Sequence, residues 1–392
     1  MDLDRLAGSP IGRLVDITGT DPRFQRVYRT KAYLPDPLPR SPMLTARTHV
    51  AIARAAAGIG RADQAVLQLP NPTLLVRPSI RREAVSTSAL EGTYAAFTDV
   101  LEADFLEEGE LTSSVAEVRN FVRAAEAALK WVDEGRPITV HMLEQAQKIL
   151  VRGTRADTPE AGHVRSNQVL IGLDSRPVED ARFIPSPPGD LLRDGVSAWQ
   201  EWIQASHDLH PIAMAALAHY QFETLHPFND GNGRIGRLVA LLQLITAGEL
   251  QSLIVNLSPW LKEREEQYQA HLFNINADGD FNQWVVFFCD ALVAHTNEAV
   301  KRVAELLDMR QFLLDTARKA RVRGVGLMLA GDLIGYPMVT ARTVKDLYEV
   351  SPQAANNAVG RLAETGILRE RTQRAYARIF GCDAVLAIID RP

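Results

Sequence analysis

The chain has 392 residues, 46% hydrophobic and 23% charged, with a formal net charge of -5. That composition is ordinary for a globular chain of two or three domains with a real core, and it excludes disordered and collagen-like classes. No run of about 18 apolar residues occurs, so no membrane span is expected, and the net acidity gives no global pull toward nucleic acid.

The first residues, MDLDRLAGSPIGRL, are acidic and lack an apolar centre, so they do not read as a secretory signal. Cys289 and Cys382 lie far apart in apolar surroundings and read as buried thiols, which with the missing signal makes the cytoplasm the expected compartment. Residues 1 to about 45 are rich in Pro and Arg without a clear period and read as an irregular arm. Helical patterns follow from about 46 to 112: TARTHVAIARAAAGIGRADQAVL, a proline-rich break near Pro70 to Pro78, then SIRREAVSTSALEG. From Ser113, VAEVRNFVRAAEAALKWV and TVHMLEQAQKIL place apolar residues at helical spacing. Further helices are expected at about 190–206, from Pro211 to Leu225, from Pro259 to Asn276 and from Phe281 to Leu307.

Between two of these helices stands His226-Pro-Phe-Asn-Asp-Gly-Asn-Gly-Arg-Ile-Gly-Arg237. His226 precedes Pro227, which disfavours helix and pushes the histidine toward extended geometry at the helix end. A neutral imidazole there is suited to act as general base for a hydroxyl. Phe228 is apolar in a polar loop and is expected to anchor it in the core. Asp230 is a hard oxygen ligand suited to Mg²⁺. Gly231 and Gly233 permit positive φ, and with Asn232 they make a turn whose N–H groups can form an anion cup. The following run LVALLQLI, Leu238 to Ile245, is apolar almost all round and predicts a buried helix. Arg234 and Arg237, three residues apart, share a face of its first turn, where the positive dipole end and two guanidinium groups favour phosphate. A site of this kind holds a nucleotide triphosphate and activates an incoming hydroxyl.

The last stretch differs in charge. From Lys301 to Pro392 there are 15 Lys and Arg against 10 Asp and Glu. ARTVKDLYEV, a short turn and SPQAANNAVGRLAETGIL suggest two helices, with Ser351 as N-cap, Pro352 in the first turn and Gly366 at the stop. LRERTQRAYARIF then carries Arg369, Arg371, Arg374 and Arg378. Helix, turn, helix and basic hairpin predict a winged helix-turn-helix domain. Gln353, Asn356, Asn357 and Arg361 are its candidate base-reading residues, and the wing arginines its phosphate contacts. A protein-docking or dimerisation module is the competing use of the same elements, because Arg361 is the one basic residue on the second helix and Glu364 opposes it.

The loop resembles the signature of the Fic family, His-Pro-Phe-x-(Asp/Glu)-Gly-Asn-Gly-Arg-x-x-Arg, at every fixed position. The resemblance implies a mainly α fold: a helical core with a β-hairpin flap, preceded by an N-terminal helical region and followed by the winged domain, with expected divisions at 1–112, 113–305 and 306–392. It implies transfer of AMP from ATP, with Mg²⁺, to a Ser, Thr or Tyr hydroxyl of a protein, which includes the chain itself. His226 would be the base, and Asp230 the Mg²⁺ ligand. Gly231, Asn232 and Gly233 would line the anion hole, and Arg234 and Arg237 would take the β and γ phosphates. Ile235 and Gly236 complete the nucleotide-binding stretch. The family branch that phosphorylates instead has Lys at the second loop glycine; Gly233 argues against it here.

Gly162-His-Val-Arg-Ser-Asn-Gln-Val-Leu-Ile-Gly172 resembles the start of the family's flap, with Val169, Leu170, Ile171 and Gly172 as the edge that aligns a target by strand addition, and it continues to Ala181-Arg-Phe-Ile-Pro-Ser-Pro-Pro188. Tyr268, Gln269 and Asn276 sit where relatives carry adenosine contacts, although a usual Tyr-Tyr pair reads Tyr268-Gln269 here. Thr87-Ser-Ala-Leu-Glu91-Gly92 resembles the family's inhibitory motif, in which Glu91 would engage Arg237 and displace the γ-phosphate. Three readings follow: a self-restrained AMP transferase, a DNA-binding regulator whose core senses nucleotide, and a transferase with another nucleotide donor. Homodimers are common in the family, and removal of AMP is known for some members.

Overall fold

A computed structural model describes residues 1–21, 25–69, 71, 73–172, 177–372 and 378–391. Helix α1 (Leu3–Ala7) opens the chain, with Asp2 as its N-cap. Strands β1 (Gly12–Asp21) and β2 (Arg26–Pro35) then pair antiparallel in a ten-residue register from Gly12↔Pro35 to Asp21↔Arg26. The expected irregular arm is therefore a hairpin over much of its length. Its Pro and Arg content hid an alternation of half-buried and exposed positions in Arg13–Thr20, built from β-branched residues that suit a pleated surface.

Helices α2 (Ala46–Val66), α3 (Thr73–Leu90), α4 (Phe97–Glu102), α5 (Ser113–Asp133) and α6 (Val140–Val151) follow. The expected break ends sooner than Pro78, which lies inside α3. So near the helix start the ring removes little more than the N–H bond that would run back to Leu74. Pro70 and Pro72 lie outside the described residues. Next come α7 (Asp190–Gln204), α8 (Pro211–Leu225), α9 (Asn232–Thr246), α10 (Ser258–Glu263), α11 (Glu265–Asp278) and α12 (Phe281–Lys319), which runs well past the expected Leu307. The chain closes with α13 (Val325–Asp332), β3 (Met338–Val339), α14 (Ala341–Tyr348), α15 (Pro352–Glu364), β4 (Arg369–Glu370), β5 (Phe380–Gly381) and α16 (Asp383–Ile389).

The chain divides into two units. One comprises Met1–Ala57, Asn120–Leu250 and Trp260–Val293. Its centre is the antiparallel pair α8 and α9. Every residue from Leu238 to Leu242 is buried, as the all-apolar pattern predicts. Alanines at 213, 215, 216 and 218 keep α8 slim, and Gly236 lets α9 approach it: a Cβ there would sit 2.6 Å from Glu223 Oε1 and 3.0 Å from the Phe222 ring. Trp199 and Trp284 donate their indole N–H to the carbonyls of Ala218 and Ala216, at 2.9 and 2.7 Å. The β1–β2 hairpin packs through Ala32, Tyr33 and Leu14 against Val178, Ala181, Phe183 and Ile184.

The other unit comprises Gly58–Arg119, Gln251–Pro259 and Ala294–Pro392. The Glu83 carboxylate accepts from Leu257 N and Ser258 N, both at 3.1 Å, and so caps the start of α10. Helices α13, α14 and α15 pack together, and the three short strands lie in the order β3-β5-β4. The expected caps are present: Ser351 Oγ accepts from Ala354 N at 3.2 Å, Pro352 occupies the first turn, and Gly366 has φ +76°. Among the described residues the arginines of the following segment face acids. Arg369 and Arg371 lie 3.3 and 3.4 Å from Asp383 and Arg378 lies 3.3 Å from Glu370; Arg374 falls outside the described residues. No described helix is long and apolar enough to cross a membrane.

Candidate functional site

Helix α8 ends at Leu225, and His226 forms its C-cap in the left-handed region, φ 52° and ψ 63°. The stop at Pro227 is as expected, but the geometry is not the extended one that proline favours in its predecessor. The turn is held because His226 N donates to Phe222 O at 2.9 Å, closing the helix, while the chain turns back toward α9. On the ring, Nδ1 lies 3.3 Å from the main-chain carbonyl of Glu223. A carbonyl can only accept, so Nδ1 carries the proton and Nε2 is left as the basic nitrogen.

The loop after His226 is tied to itself. Asn232 Oδ1 accepts from Phe228 N at 2.8 Å and Asn232 Nδ2 donates to Phe228 O at 2.7 Å. Its side chain therefore fixes the loop, and what it offers an anion is its main-chain N–H. Phe228 is buried, as expected of an anchor, with its ring 6.3 Å from that of Phe222. Gly231 has φ +83°, and a Cβ on it would meet Leu150 Cδ2 at 2.6 Å; both facts demand glycine. Gly233 differs from expectation: it lies in the first turn of α9, a helical position, with no need for positive φ.

Helix α9 begins at Asn232, and its first internal bond is Ile235 N to Gly231 O at 3.0 Å. The N–H groups of residues 232–234 thus sit at the open positive end of a fifteen-residue helix. Arg234 and Arg237 are 3% and 2% exposed at this end. Arg234 Nη2 donates to Asp230 Oδ1 at 2.8 Å, and the Asp230 carboxylate stays about one-third exposed. His219, about two turns before His226 on α8, is fully buried; burial first, and then the charge of Arg237, lower its pKa to about 3. It is neutral and shares a 2.8 Å hydrogen bond with the Tyr268 hydroxyl.

The flap stretch leaves α6 and returns to α7. One β-bridge joins its limbs, Ile171 to Phe183, with Ile171 N donating to Phe183 O at 2.9 Å and Arg182 N to Ile171 O at 3.0 Å. Val169, Leu170 and Ile171 are half-buried and Gly172 is exposed, with φ +84°. The returning limb is also bound from behind: Tyr33 N of β2 donates to Ile184 O at 2.9 Å. Three side chains that sequence reasoning passed over set this arrangement. Gln147 of α6 donates to Asp230 O at 3.1 Å and accepts from Gly162 N at 2.6 Å, so one amide spans the loop after His226 and the flap root. Glu144, one turn earlier, accepts from Val164 N at 3.2 Å. Arg165 is 2% exposed and donates to carbonyls on both sides of the site. Buried polar residues on the apolar face of TVHMLEQAQKIL were the available signal for Gln147.

The remaining candidates are placed as follows. Tyr268 and Asn276 are buried; Tyr268 meets His219, and Asn276 Oδ1 accepts from Tyr220 Oη at 2.7 Å while its carbonyl accepts from Tyr33 Oη at 3.1 Å. Contact with a nucleoside through these groups would cost those bonds. Gln269 is half-buried and donates to Glu265 at 3.2 Å. In the other unit Thr87 is fully buried on α3, and Glu91 is exposed just past the helix end, where Gly92 takes φ +85°. Gln353 and Asn357 bond each other at 2.9 Å, Asn356 donates to Pro352 O at 2.8 Å, and Arg361 pairs with Glu364 at 2.7 Å.

The site therefore combines a base with a fixed tautomer, a carboxylate, a helix N-terminus and two buried guanidinium groups within one loop. That set suits displacement at a phosphorus centre by a hydroxyl, where positioning and charge neutralisation dominate. The descriptions "Fic/DOC family N-terminal" and "Fic/DOC family" match residues 49–130 and 137–244. A "Protein adenylyltransferase Fic" of Drosophila melanogaster is 31% identical over 169 residues, 43% of this chain and 31% of that protein. One of Drosophila mojavensis is 35% identical over 136 residues, 34% of this chain and 24% of that protein. The chain thus matches about a third of such relatives' length. A crystal structure of a Fic family protein from Desulfovibrio desulfuricans G20 superposes with a TM-score of 0.59, at 22% identity, over 88% of this chain and 98% of that one, which bears out the mainly helical Fic fold. With both family descriptions matched in order and the whole signature present, the chain belongs to the Fic/DOC family.

Proposed function

We propose that this protein is an adenylyltransferase that moves AMP from ATP to a Ser, Thr or Tyr hydroxyl of a protein. The carrying observation is His226, with Nδ1–H fixed on the Glu223 carbonyl and Nε2 basic, beside the N-terminus of α9. The hydroxyl proton passes to Nε2 as the oxygen bonds to the α-phosphorus; the bond from that phosphorus to its bridging oxygen breaks, and pyrophosphate leaves. Arg234, Arg237 and the N–H groups of Gly231, Asn232 and Gly233 take the charge of the leaving phosphates. The names carried by the Drosophila relatives support the same chemistry.

Asp230 fits a magnesium ion: its carboxylate is partly exposed, and Oδ2 has no partner among the described residues. Among them no cluster of three His, Cys, Asp or Glu side chains could hold a metal alone, so nucleotide oxygens and water would complete the shell. Bound there, the ion would neutralise phosphate charge.

Glu91 is read as a brake that competes for Arg237, and the elements from α13 to α16 as a winged helix-turn-helix domain. DNA binding by that domain is the weaker use of it, because the described polar and basic groups of α15 and the wing already have partners. ATP labelled at the α- or the γ-phosphate tests the main reading. Transfer of α-label with Mg²⁺ supports adenylylation; transfer of γ-label alone replaces it with kinase chemistry.

A further inference from the structure

Arg165 is one of the largest fully buried side chains in the molecule, and nothing in the chemistry above uses it. Its Nε donates to His226 O at 2.7 Å and its Nη2 reaches Leu225 O at 3.3 Å. Nη1 donates to Asn167 O at 2.8 Å, and Nη2 to Ser186 O at 2.6 Å. Its own main-chain N–H donates to Pro227 O at 2.8 Å. Among the described residues it pairs with no carboxylate, so one buried cation is spent wholly on carbonyl oxygens. Desolvation lowers its pKa to about 10, which leaves it charged at neutral pH.

The four carbonyls fall into two groups. Leu225 and His226 belong to the end of α8, where the backbone takes its left-handed turn. Asn167 lies on the outgoing limb of the flap and Ser186 on the returning limb. A non-glycine residue in the left-handed region ahead of proline is a strained arrangement, and such geometry persists only where neighbours over-determine it. A planar guanidinium with five donors in a fixed fork can hold separated carbonyls in one geometry; a lysine ammonium, with three donors on one atom, cannot span them.

We propose that Arg165 is the positioning residue of this site: it locks the His226 turn to both limbs of the flap, so that a hydroxyl delivered along the flap meets a base held at fixed distance and orientation. It touches neither nucleotide nor target and acts through His226. The inference rests on the adenylyltransferase reading for its consequence in catalysis, and on geometry alone for the coupling.

The test uses the full chain with Arg165→Lys, which keeps the charge, and Arg165→Met, which keeps much of the volume. Two readouts are needed. The first is the ¹⁵N signal of the His226 ring: wild type gives the Nδ1–H tautomer alone, and Arg165→Lys should show tautomer exchange and faster hydrogen exchange at residues 167–171. The second is the split of α-label transfer, where kcat should fall at least about tenfold while KM for ATP stays within about twofold, since a small misplacement of a base suffices for that loss. Unchanged His226 tautomer and flap protection in the folded Arg165→Lys protein overturns the proposal. A rise in KM for ATP equal to the fall in kcat also overturns it, because that marks general collapse of the site. Should Arg165→Met not fold, the lysine variant alone decides. Should wild type transfer no label, the adenylyltransferase reading fails, and the tautomer and exchange measurements still decide the coupling.

Discussion

Nδ1 of His226 lies 3.3 Å from the carbonyl of Glu223, three residues back on the same helix. This local bond, made possible by the left-handed turn at the end of α8, decides which ring nitrogen is basic. His226→Ala removes the base without touching Arg234, Arg237 or the start of α9. Transfer of α-label should fall by about 10² to 10⁴, the usual worth of a positioned general base. Affinity for ATP, measured by calorimetry, should stay within a few-fold. Undiminished transfer by that variant would remove His226 from the chemistry.

Much of this was legible in the chain. The twelve-residue loop, the buried run Leu238–Leu242 and the caps at Ser351 and Gly366 each carry their signal within a few residues, so spacing alone reveals them. The hairpin Gly12–Pro35 was obscured because arginines and a proline interrupt its alternation, and its stability comes from Val178, Phe183 and Ile184, far along the chain. Gln147 and Arg165 were passed over for the same reason. Their partners are main-chain groups of Gly162, Asp230, His226 and Ser186, which no side-chain pattern announces. Gly233 shows the opposite error: a glycine between motif residues was credited with a conformation that only Gly231 adopts.

Gly231 and Gly92 form a controlled pair. Both have positive φ, +83° and +85°, but a Cβ on Gly231 would meet Leu150 at 2.6 Å, whereas nothing lies within 4 Å of one on Gly92. Alanine at 92 should cost about 1 kcal/mol, the left-handed penalty alone. Alanine at 231 adds overpacking and should cost about 2–4 kcal/mol in all. Urea denaturation of the two variants measures the difference; equal losses would mean that Leu150 yields freely.

Buried His219 makes stability depend on pH. Its pKa is lowered to about 3 in the folded protein by burial and by Arg237, against 6.5 ordinarily. The unfolded chain therefore binds a proton first as pH falls. The contribution is full above pH 6.5 and is lost progressively between 6.5 and 3, amounting to about 2 kcal/mol by pH 5. His219→Gln, which can keep an acceptor for the Tyr268 hydroxyl, should be less stable at pH 7.5 but show a shallower decline toward pH 5. Chemical denaturation at the two pH values gives both slopes, and parallel slopes would show that folding does not shift the His219 pKa.

Glu91 is exposed just beyond α3, with its N–H bonded to Ser88 O at 3.0 Å and the chain turning at Gly92. Exposed substitutions of this kind usually change stability by less than about 0.5 kcal/mol. Urea denaturation of both proteins separates an effect of Glu91→Gly on activity from one on folding. If the carboxylate competes with the γ-phosphate for Arg237, its removal favours the productive pose of ATP, and a tenfold rise in α-label transfer corresponds to about 1.4 kcal/mol of lost competition. We expect a rise of at least that size, with Glu91→Gln giving part of it because the charge goes while the side chain remains. Wild type should then bind ATP nearly as well as the variant, since a brake of this kind would act on the pose of the triphosphate and not on access to the site. Equal transfer by wild type and Glu91→Gly, with both folded, would take Glu91 out of regulation.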